Sequence, residues 1–392
     1  RRSFTGNLVG IYKIMQGIFE QNILMVYRRI KEGKKMSKLR VAIIGQGRSG
    51  RDIHGFFLSG DMNTHYEVAA VVEADEFRRN RALEEYPGCS VHACYTELYG
   101  REDIDLVVNS SFSHMHADIS IDLLEHGFNV VCEKPFAKNY EECDRIVKAY
   151  EKSGKMLNVF QQSRFAPYYT EIKKIIASGK LGRPVQYSIS FSGFARRWDW
   201  QTYQGYNGGE VRNTGPHPLD QALDILGFDD NITVFSKLDR VNTFGDAEDY
   251  AKIILTAPGK PLIDVDLSKC NAYAGPLYVV HCQYGSLKAT ASAIDYKYYN
   301  PETAPEQKLT IEPLFKEDRT PAYCSEKLDW TEEHVDVEGT VFTVGVKKYY
   351  DMIYDHLVDG KDMEITPYQV LKQFKVIDTI RSQNPLDTIT VK

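Results

Sequence analysis

The sequence lacks several features that mark large classes of protein. Its seven cysteines are odd in number and form no C-x-x-C pair, so neither a disulfide framework nor a zinc site is expected, and reduced thiols are the simplest account. It has no internal repeat, no low-complexity tract and no long uninterrupted apolar run. At 392 residues, 43% of them hydrophobic, the chain can bury its own core without disulfides or a structural metal. We therefore expect a globular cytoplasmic protein with no metal centre.

Beyond the first 35 residues, basic side chains are outnumbered by acidic ones. Those residues hold eight Lys or Arg and two Asp or Glu, a net charge of +6. Because the whole chain carries −6, residues 36–392 carry −12. An acidic body of this kind argues against broad binding to nucleic acid or to anionic membranes.

The basic N-terminal segment has two interpretations. Residues 8–27 are apolar but are interrupted by charged and amide side chains, which is too polar for a spanning helix, although helical spacing leaves an interfacial membrane helix open. Alternatively, Met36 begins MSKLRVAIIG, where a first strand is expected, and residues 1–35 are then a leader or a non-native extension. We favour the second interpretation, with no membrane partner.

In the rest of the chain, the pattern of apolar and polar residues changes near residue 160. Short apolar runs alternate with helical patterns before that point, which predicts a doubly wound parallel sheet of the α/β class over residues 36–160. After it, period-two alternation over several segments predicts an α+β domain with a large open, mostly antiparallel sheet over residues 161–392. The predicted strands of the first domain are 41–44, 68–72, 105–109 and 129–131.

A glycine-rich turn follows the first predicted strand. Gly45-Gln46-Gly47-Arg48-Ser49-Gly50 is a G-x-G-x-x-G sequence that opens a predicted helix, and Glu73 ends the second strand 23 residues after the third glycine. Such a turn lets the backbone approach a pyrophosphate at a helix N-terminus. A carboxylate at Glu73 would accept hydrogen bonds from the adenosine ribose and would repel a 2′-phosphate. The pattern thus predicts binding of NAD, with NADP disfavoured.

Two further motifs carry groups suited to chemistry. Glu133-Lys134-Pro135 follows the fourth strand, at the carboxyl end of the sheet where ligands bind in such folds. His217 and Asp220 lie three residues apart in GGEVRNTGPHPLD, so they share one side of a helix's first turn. Trp198 belongs to an aromatic and charged segment just before this motif, which is typical of sugar-binding surfaces and equally of packed interfaces.

With these motifs the chain resembles the glucose–fructose oxidoreductase/inositol dehydrogenase (Gfo/Idh/MocA) family. The resemblance runs from about Lys38 to the C-terminal helices, and rests on G-x-G-x-x-G, on E-K-P and on G-x-H-x-x-D at Gly215–Asp220. It implies a Rossmann domain that binds NAD and a second domain that holds the substrate and mediates homo-oligomerisation. The implied reaction is hydride transfer at a ring secondary alcohol of a sugar, glycoside or cyclitol.

The resemblance also assigns roles to residues. Lys134 would hydrogen-bond the reacting hydroxyl, and His217 would be the general acid and base. Because Asn213 stands where many members carry Asp, either Asp220 supports the imidazolium or Lys134 is the main base. The predicted cofactor contacts are Gly45, Gln46, Gly47, Arg48, Ser49, Gly50, Glu73, Ser111, His116, Glu133 and Lys134. The predicted substrate contacts are Lys134, Arg164, Trp198, Asn213 and His217.

Two other functions remain open from the sequence. An enzyme that keeps its NAD and oxidises a glycoside transiently, so that the aglycone is eliminated, would use the same residues. A non-enzymatic NAD-sensing protein would be expected to have lost Lys134 or His217, and both are present.

The interpretation of residues 1–35 predicts where the native protein begins. N-terminal sequencing of the protein purified from its natural source is expected to start at Met36 or at Ser37. Detection of any residue from the segment 1–35 would contradict it.

Overall fold

The computed structural model describes residues 38–389, which form two sheets with helices packed against them. The predicted extension, residues 1–35, lies outside the described residues. The two sheets correspond to the two halves that the sequence pattern distinguishes, so the predicted fold class is confirmed.

The first sheet has six parallel strands in the order β3-β2-β1-β4-β5-β6. Its strands are Leu39–Ile44 (β1), Tyr66–Val72 (β2), Ser90–His92 (β3), Leu106–Asn109 (β4), Val130–Cys132 (β5) and Leu157–Val159 (β6). The sequence pattern missed β3 and β6, because a strand of three residues is too short to show a period.

The helices on this sheet cover both of its faces, as a doubly wound topology requires. They are Gly50–Gly55 continued by Phe56–Ser59 (α1), Glu76–Glu85 (α2), His116–Glu125 (α3) and Tyr140–Ser153 (α4). The central strands are consequently buried on both sides: residues 41–44 of β1 and 106–109 of β4 are all buried. Each fully buried valine or isoleucine side chain there stabilises the fold by about 1.5–3 kcal/mol.

The second sheet has eight strands in the order β16-β13-β12-β11-β7-β10-β9-β8. They are Pro184–Ser192 (β7), Thr233–Asp239 (β8), Tyr250–Thr256 (β9), Leu262–Ser268 (β10), Tyr278–Cys282 (β11), Gly285–Ala289 (β12), Ala293–Tyr299 (β13) and Trp330–Asp336 (β16); a small hairpin, Leu314–Phe315 (β14) and Pro321–Ala322 (β15), lies apart from the sheet. All pairings in the eight-stranded sheet are antiparallel except that of β7 with β10.

One face of the second sheet forms a core and the other is open. Along β9 and β10, buried side chains such as Ile253 and Val265 alternate with half-buried ones such as Lys252 and Asp264. The helices of this half are Pro167–Ala177 (α5), Glu210–Asn213 (α6), Pro216–Leu226 (α7), Val346–Asp359 (α8) and Pro367–Gln383 (α9). The open face carries many polar side chains, which is why apolar and polar residues alternate along these strands.

The last two helices connect the two halves. The Tyr349 hydroxyl of α8 donates to Asn158 Oδ1 on β6 at 2.7 Å. The Gln373 side chain of α9 donates from Nε2 to the Pro216 carbonyl at 2.7 Å and receives a hydrogen bond from Gln161. C-terminal sequence thus packs against the first half as well as the second, and the predicted boundary between residues 160 and 161 stays a prediction.

The described residues were also considered for membrane and metal features. Within residues 38–389, every helix is too short or too polar to cross a bilayer. The same residues contain no group of three or more His, Cys, Asp or Glu side chains arranged to hold a metal ion.

Candidate active site

The glycine-rich turn lies where β1 meets α1 and is tightly packed on one side. Gly45 has a φ of +90°, and a Cβ at this position would lie 2.5 Å from the Ser110 carbonyl oxygen. A Cβ on Gly50 would lie 1.9 Å from the Gly45 carbonyl oxygen. A Cβ on Gly47, by contrast, would meet nothing within 4 Å. The turn is therefore closed towards the sheet and open towards solvent, which is the arrangement that an incoming phosphate requires.

The groups around this turn are polar. The Glu73 carboxylate accepts the Gln46 N–H at 2.8 Å and the Asp75 N–H at 3.0 Å, so it is fixed at the end of β2. The Arg78 guanidinium lies 3.6 Å from the same carboxylate. The Arg48 side chain is exposed and makes no hydrogen bond or ion pair with residues 38–389. A shallow pocket at this turn is lined by Gln46, Gly47, Arg48, Arg51, Asp52, Arg78 and Arg81.

Lys134 lies at the carboxyl end of β5, beyond the glycine-rich turn. Its ammonium donates from Nζ to the main-chain carbonyl of Asn213 at 3.0 Å, across to the second half of the fold. Burial lowers the pKa of Lys134; the charge of Arg48 lowers it further, and the charges of Glu133 and Glu210 oppose this. The amine therefore loses its proton more readily than a surface lysine does.

His217 lies in the first turn of α7, close enough to Lys134 for their charges to interact. Its Nδ1 is 3.0 Å from Ser163 Oγ, and its Nε2 has no hydrogen-bond partner within residues 38–389. Burial, together with the charge of Lys134, lowers the pKa of His217 to about 3. The imidazole is thus neutral at physiological pH, and one ring nitrogen is available to a ligand.

Asp220 does not approach His217, although three residues separate them. Its two carboxylate oxygens accept hydrogen bonds from Arg164 Nε at 2.7 Å and Nη2 at 2.6 Å, and both side chains are at most 3% exposed. Despite burial, the charges of Asp220 and Asp224 raise the pKa of Arg164. Asp220 and Arg164 thus satisfy each other, and the expected support of the imidazolium by Asp220 and the expected substrate contact of Arg164 stay predictions.

Asn213 and Trp198 lie on the second half of the fold. The Asn213 carbonyl accepts Lys134 Nζ, whereas its amide Nδ2 is 3.4 Å from Gln201 Oε1. Trp198 is 77% exposed and packs edge-on against Phe244, with ring centroids 6.2 Å apart. The main chain of Asn213 is thus part of the site, and a substrate contact of Trp198 stays a prediction.

Three predicted cofactor contacts have partners within the protein. His116 is buried, with Nδ1 2.7 Å from the Pro135 carbonyl and Nε2 3.0 Å from the Ser111 carbonyl. The Ser111 hydroxyl donates to Asn109 Oδ1 at 2.7 Å. Glu133 is 3% exposed, and its carboxylate accepts the Lys134 N–H at 2.9 Å. These residues hold the strand ends from inside, and the surface of the turn is formed by Gly47 and its neighbours Gln46 and Arg48.

The sequence analysis missed two residues of the site. Ser163 binds His217, and the buried His54 binds Glu133. Ser163 follows the short strand β6, and an apolar end of β6 followed by a polar stretch could have pointed to it. His54 lies in a helix whose pattern carries no signal, so only the structure could find it.

Comparisons with known proteins identify the family of both halves. Residues 39–161 match the profile described as "Oxidoreductase family, NAD-binding Rossmann fold", and residues 169–288 match the GFO/IDH/MocA C-terminal domain.

Individual relatives and structures are similar to most of the described chain. An uncharacterized oxidoreductase of Schizosaccharomyces pombe is 30% identical over 61% of this chain and 67% of its own length. The scyllo-inositol 2-dehydrogenase (NADP(+)) of Bacillus subtilis is 25% identical over 64% of this chain and 69% of its own. An NAD-binding protein from Listeria innocua has the same fold, with a TM-score of 0.73 and 20% identity over 90% of this chain and 100% of its own.

The ion pair of Arg164 and Asp220 predicts a large effect on stability. Replacement of Asp220 by Asn leaves the Arg164 charge buried without its partner, so we expect the free energy of unfolding to fall by about 3–5 kcal/mol. Urea denaturation measures it. The matched control is Asp118→Asn, which removes an exposed pair with Arg145 and should cost at most about 1 kcal/mol. Equal losses in the two variants would contradict the prediction.

Proposed function

The chain belongs to the Gfo/Idh/MocA family of NAD-binding oxidoreductases, and we propose that it transfers hydride between NAD and a ring secondary alcohol of a sugar, glycoside or cyclitol. The observation that carries the proposal is the placement of Lys134 and His217, two bases with lowered pKa values, beside each other at the carboxyl end of the parallel sheet. The relative from Bacillus subtilis, whose name is that of a cyclitol dehydrogenase, supports the substrate class.

The residues of the glycine-rich turn fit a dinucleotide. The open side of Gly47 leaves room for a pyrophosphate, and Arg48, a cation beside it, has no ion-pair partner within residues 38–389. Within the same residues the buried Gln46 side-chain oxygen has no hydrogen-bond partner, as expected of a group that meets a ligand. With NAD bound at this turn through its pyrophosphate, the nicotinamide would supply the hydride acceptor for alcohol oxidation. Glu73, fixed at the end of β2, favours NAD by charge repulsion of a 2′-phosphate.

Lys134 and His217 divide the handling of the proton. Oxidation of an alcohol requires that its hydroxyl lose a proton as hydride leaves the carbon, so a base must lie within hydrogen-bond reach. Lys134 extends its amine to the second half of the fold, which carries His217, and His217 Nε2 has no hydrogen-bond partner within residues 38–389. The Asn213 carbonyl orients the amine, and Ser163 fixes the imidazole. In the reverse direction, protonated Lys134 polarises the carbonyl.

Other expectations from the sequence belong to the same proposal. All seven cysteines are free thiols, which supports a reducing, cytoplasmic compartment. The open face of the second sheet supports a homo-oligomer. Both stay predictions.

The first test is the reaction itself. With excess NAD and a panel of sugars, glycosides and cyclitols, we expect absorbance at 340 nm to rise with one substrate class. Product formation without accumulation of NADH would contradict net oxidation and would favour the recycled-cofactor alternative.

Lys134 is predicted to be essential for turnover. Replacement by Ala removes the base, so kcat is expected to fall by about 10²–10⁴-fold while NAD still binds with wild-type affinity. Steady-state kinetics and calorimetric titration of NAD measure the two quantities. The matched control is Lys138→Ala, an exposed lysine four residues away, which should behave as wild type. A Lys134→Ala enzyme near the wild-type rate would refute the assignment.

Glu73 is predicted to set the cofactor preference. Its replacement by Ala removes the repulsion of a 2′-phosphate and frees Arg78 to attract it. We expect the ratio of kcat/KM for NADP to that for NAD to rise by about tenfold or more, which corresponds to about 1.4 kcal/mol. The exposed Glu76 has no partner within residues 38–389, and Glu76→Ala is the control. Unchanged discrimination in the Glu73 variant would count against Glu73 as the ribose ligand.

A further inference from the structure

A buried cluster behind Lys134 takes no part in the proton transfer described above. His54 lies in α1, four residues after Gly50, and is fully buried. Its Nε2 is 3.2 Å from Glu133 Oε1, and its Nδ1 is 2.7 Å from the Tyr350 hydroxyl. The cluster therefore joins three elements: α1, which follows the glycine-rich turn, the end of β5, and α8, the last helix but one.

The hydrogens of this cluster can be assigned from its partners. Glu133 is an ionised carboxylate and can only accept, so His54 donates to it from Nε2–H. The Tyr350 hydroxyl is the partner of the other ring nitrogen, Nδ1. Both ring nitrogens are thus hydrogen-bonded.

Glu133 connects His54 to Lys134 through the two oxygens of its carboxylate. While Oε1 faces His54, Oε2 accepts the main-chain N–H of Lys134 at 2.9 Å. The Glu133 N–H in turn donates to the Asn109 carbonyl on β4 at 3.0 Å. The carboxylate of Glu133 thus fixes the Glu133–Lys134 peptide unit, and the next unit has no N–H to donate because Pro135 follows.

Glu133 is also the buried anion beneath the candidate bases. Burial lowers the pKa values of Lys134, His116 and His217, and the charge of Glu133 opposes this in all three. Hydrogen bonding and charge from His54 offset burial and hold the pKa of Glu133 down, at about 2. The groups facing Glu133 are His54, Lys134, His116, His217, Cys132, Tyr349 and Tyr350, and those facing Lys134 are Glu133, Arg48, Glu210, His116 and His217.

We propose that His54 is a positioning residue for Lys134 and acts through Glu133. The Nε2–H of His54 holds the carboxylate in place, and the carboxylate fixes both the main chain and the electrostatic environment of the lysine. The inference rests on the proposed function, because that function gives Lys134 the proton transfer. It also connects the base with the helix that begins at the glycine-rich turn.

The kinetic test compares two replacements of His54. Leu removes both nitrogens, whereas Gln keeps a donor to Glu133 and an acceptor for Tyr350. We expect His54→Leu to lower kcat by about tenfold or more, because small misplacements of reacting groups cost that much, with the Kd for NAD within about twofold of wild type. His54→Gln is expected to recover most of this loss. Tyr349→Phe, which removes an equally buried hydrogen bond from the neighbouring residue of α8, is the control and should leave kcat unchanged.

A second measurement does not depend on turnover. Reductive methylation with ¹³C-formaldehyde allows the pKa of Lys134 to be followed by NMR, with its signal assigned by Lys134→Arg. Loss of the nearby negative charge in Glu133→Gln is expected to lower this pKa by about one unit or more. His54→Leu should shift it in the same direction by less, and Tyr349→Phe should not shift it.

The outcomes separate the inference from the proposed function. If His54→Leu keeps the wild-type kcat, or His54→Gln is as impaired as His54→Leu, the positioning role is overturned. An unchanged Lys134 pKa in Glu133→Gln overturns the electrostatic part. If His54→Leu does not fold, His54→Gln and Glu133→Gln still decide. If wild type oxidises no alcohol while the NMR shifts appear as expected, the proposed function fails and the coupling of Glu133 to Lys134 stands.

Discussion

The buried negative charge of Glu133 is the constraint on which much of this fold depends. A carboxylate in the interior is costly unless hydrogen bonds and positive charge compensate it. Here the compensation comes from His54 on α1 and from the main chain of Lys134, and His54 is itself bound by Tyr350 on α8. The buried charge of Glu133 therefore holds three elements in one arrangement. They are α1, the end of β5 that carries Lys134, and α8.

A second buried pair plays a corresponding part in the other half. Arg164 follows β6 and binds Asp220 on α7 through two hydrogen bonds, which fixes the helix that carries His217. Ser163, the preceding residue, binds the imidazole of His217. Lys134 and His217 lie one on each half of the fold, and the hydrogen bond from Lys134 to the Asn213 carbonyl connects the two halves.

Hydrophobic periodicity and sequence motifs predicted most of the fold and of the candidate site. The elements and contacts that they missed were missed for physical reasons. Long elements such as α4 and β9 follow from periodicity, and parallel topology places the glycine-rich turn and Lys134 at one edge. The short strands β3 and β6 were missed because they include polar residues and show neither a period nor a continuous apolar run. Asp220 was expected to support His217, and the structure pairs it with the buried Arg164 from a distant segment. No local signal could reveal that partner.

The sequence by itself determined the fold class and singled out the glycine-rich turn, Lys134 and His217 as the candidate site, because these depend on local spacing and on the rule that parallel strands end at a common edge. Only the tertiary structure decided which acids serve which bases. Glu133 turns inward to His54, Asp220 turns to Arg164, and Asn213 acts through its carbonyl. A buried charge without a partner is costly, so each buried charge pairs with another group. Because that partner can lie far away in the sequence, the spacing of residues does not predict it.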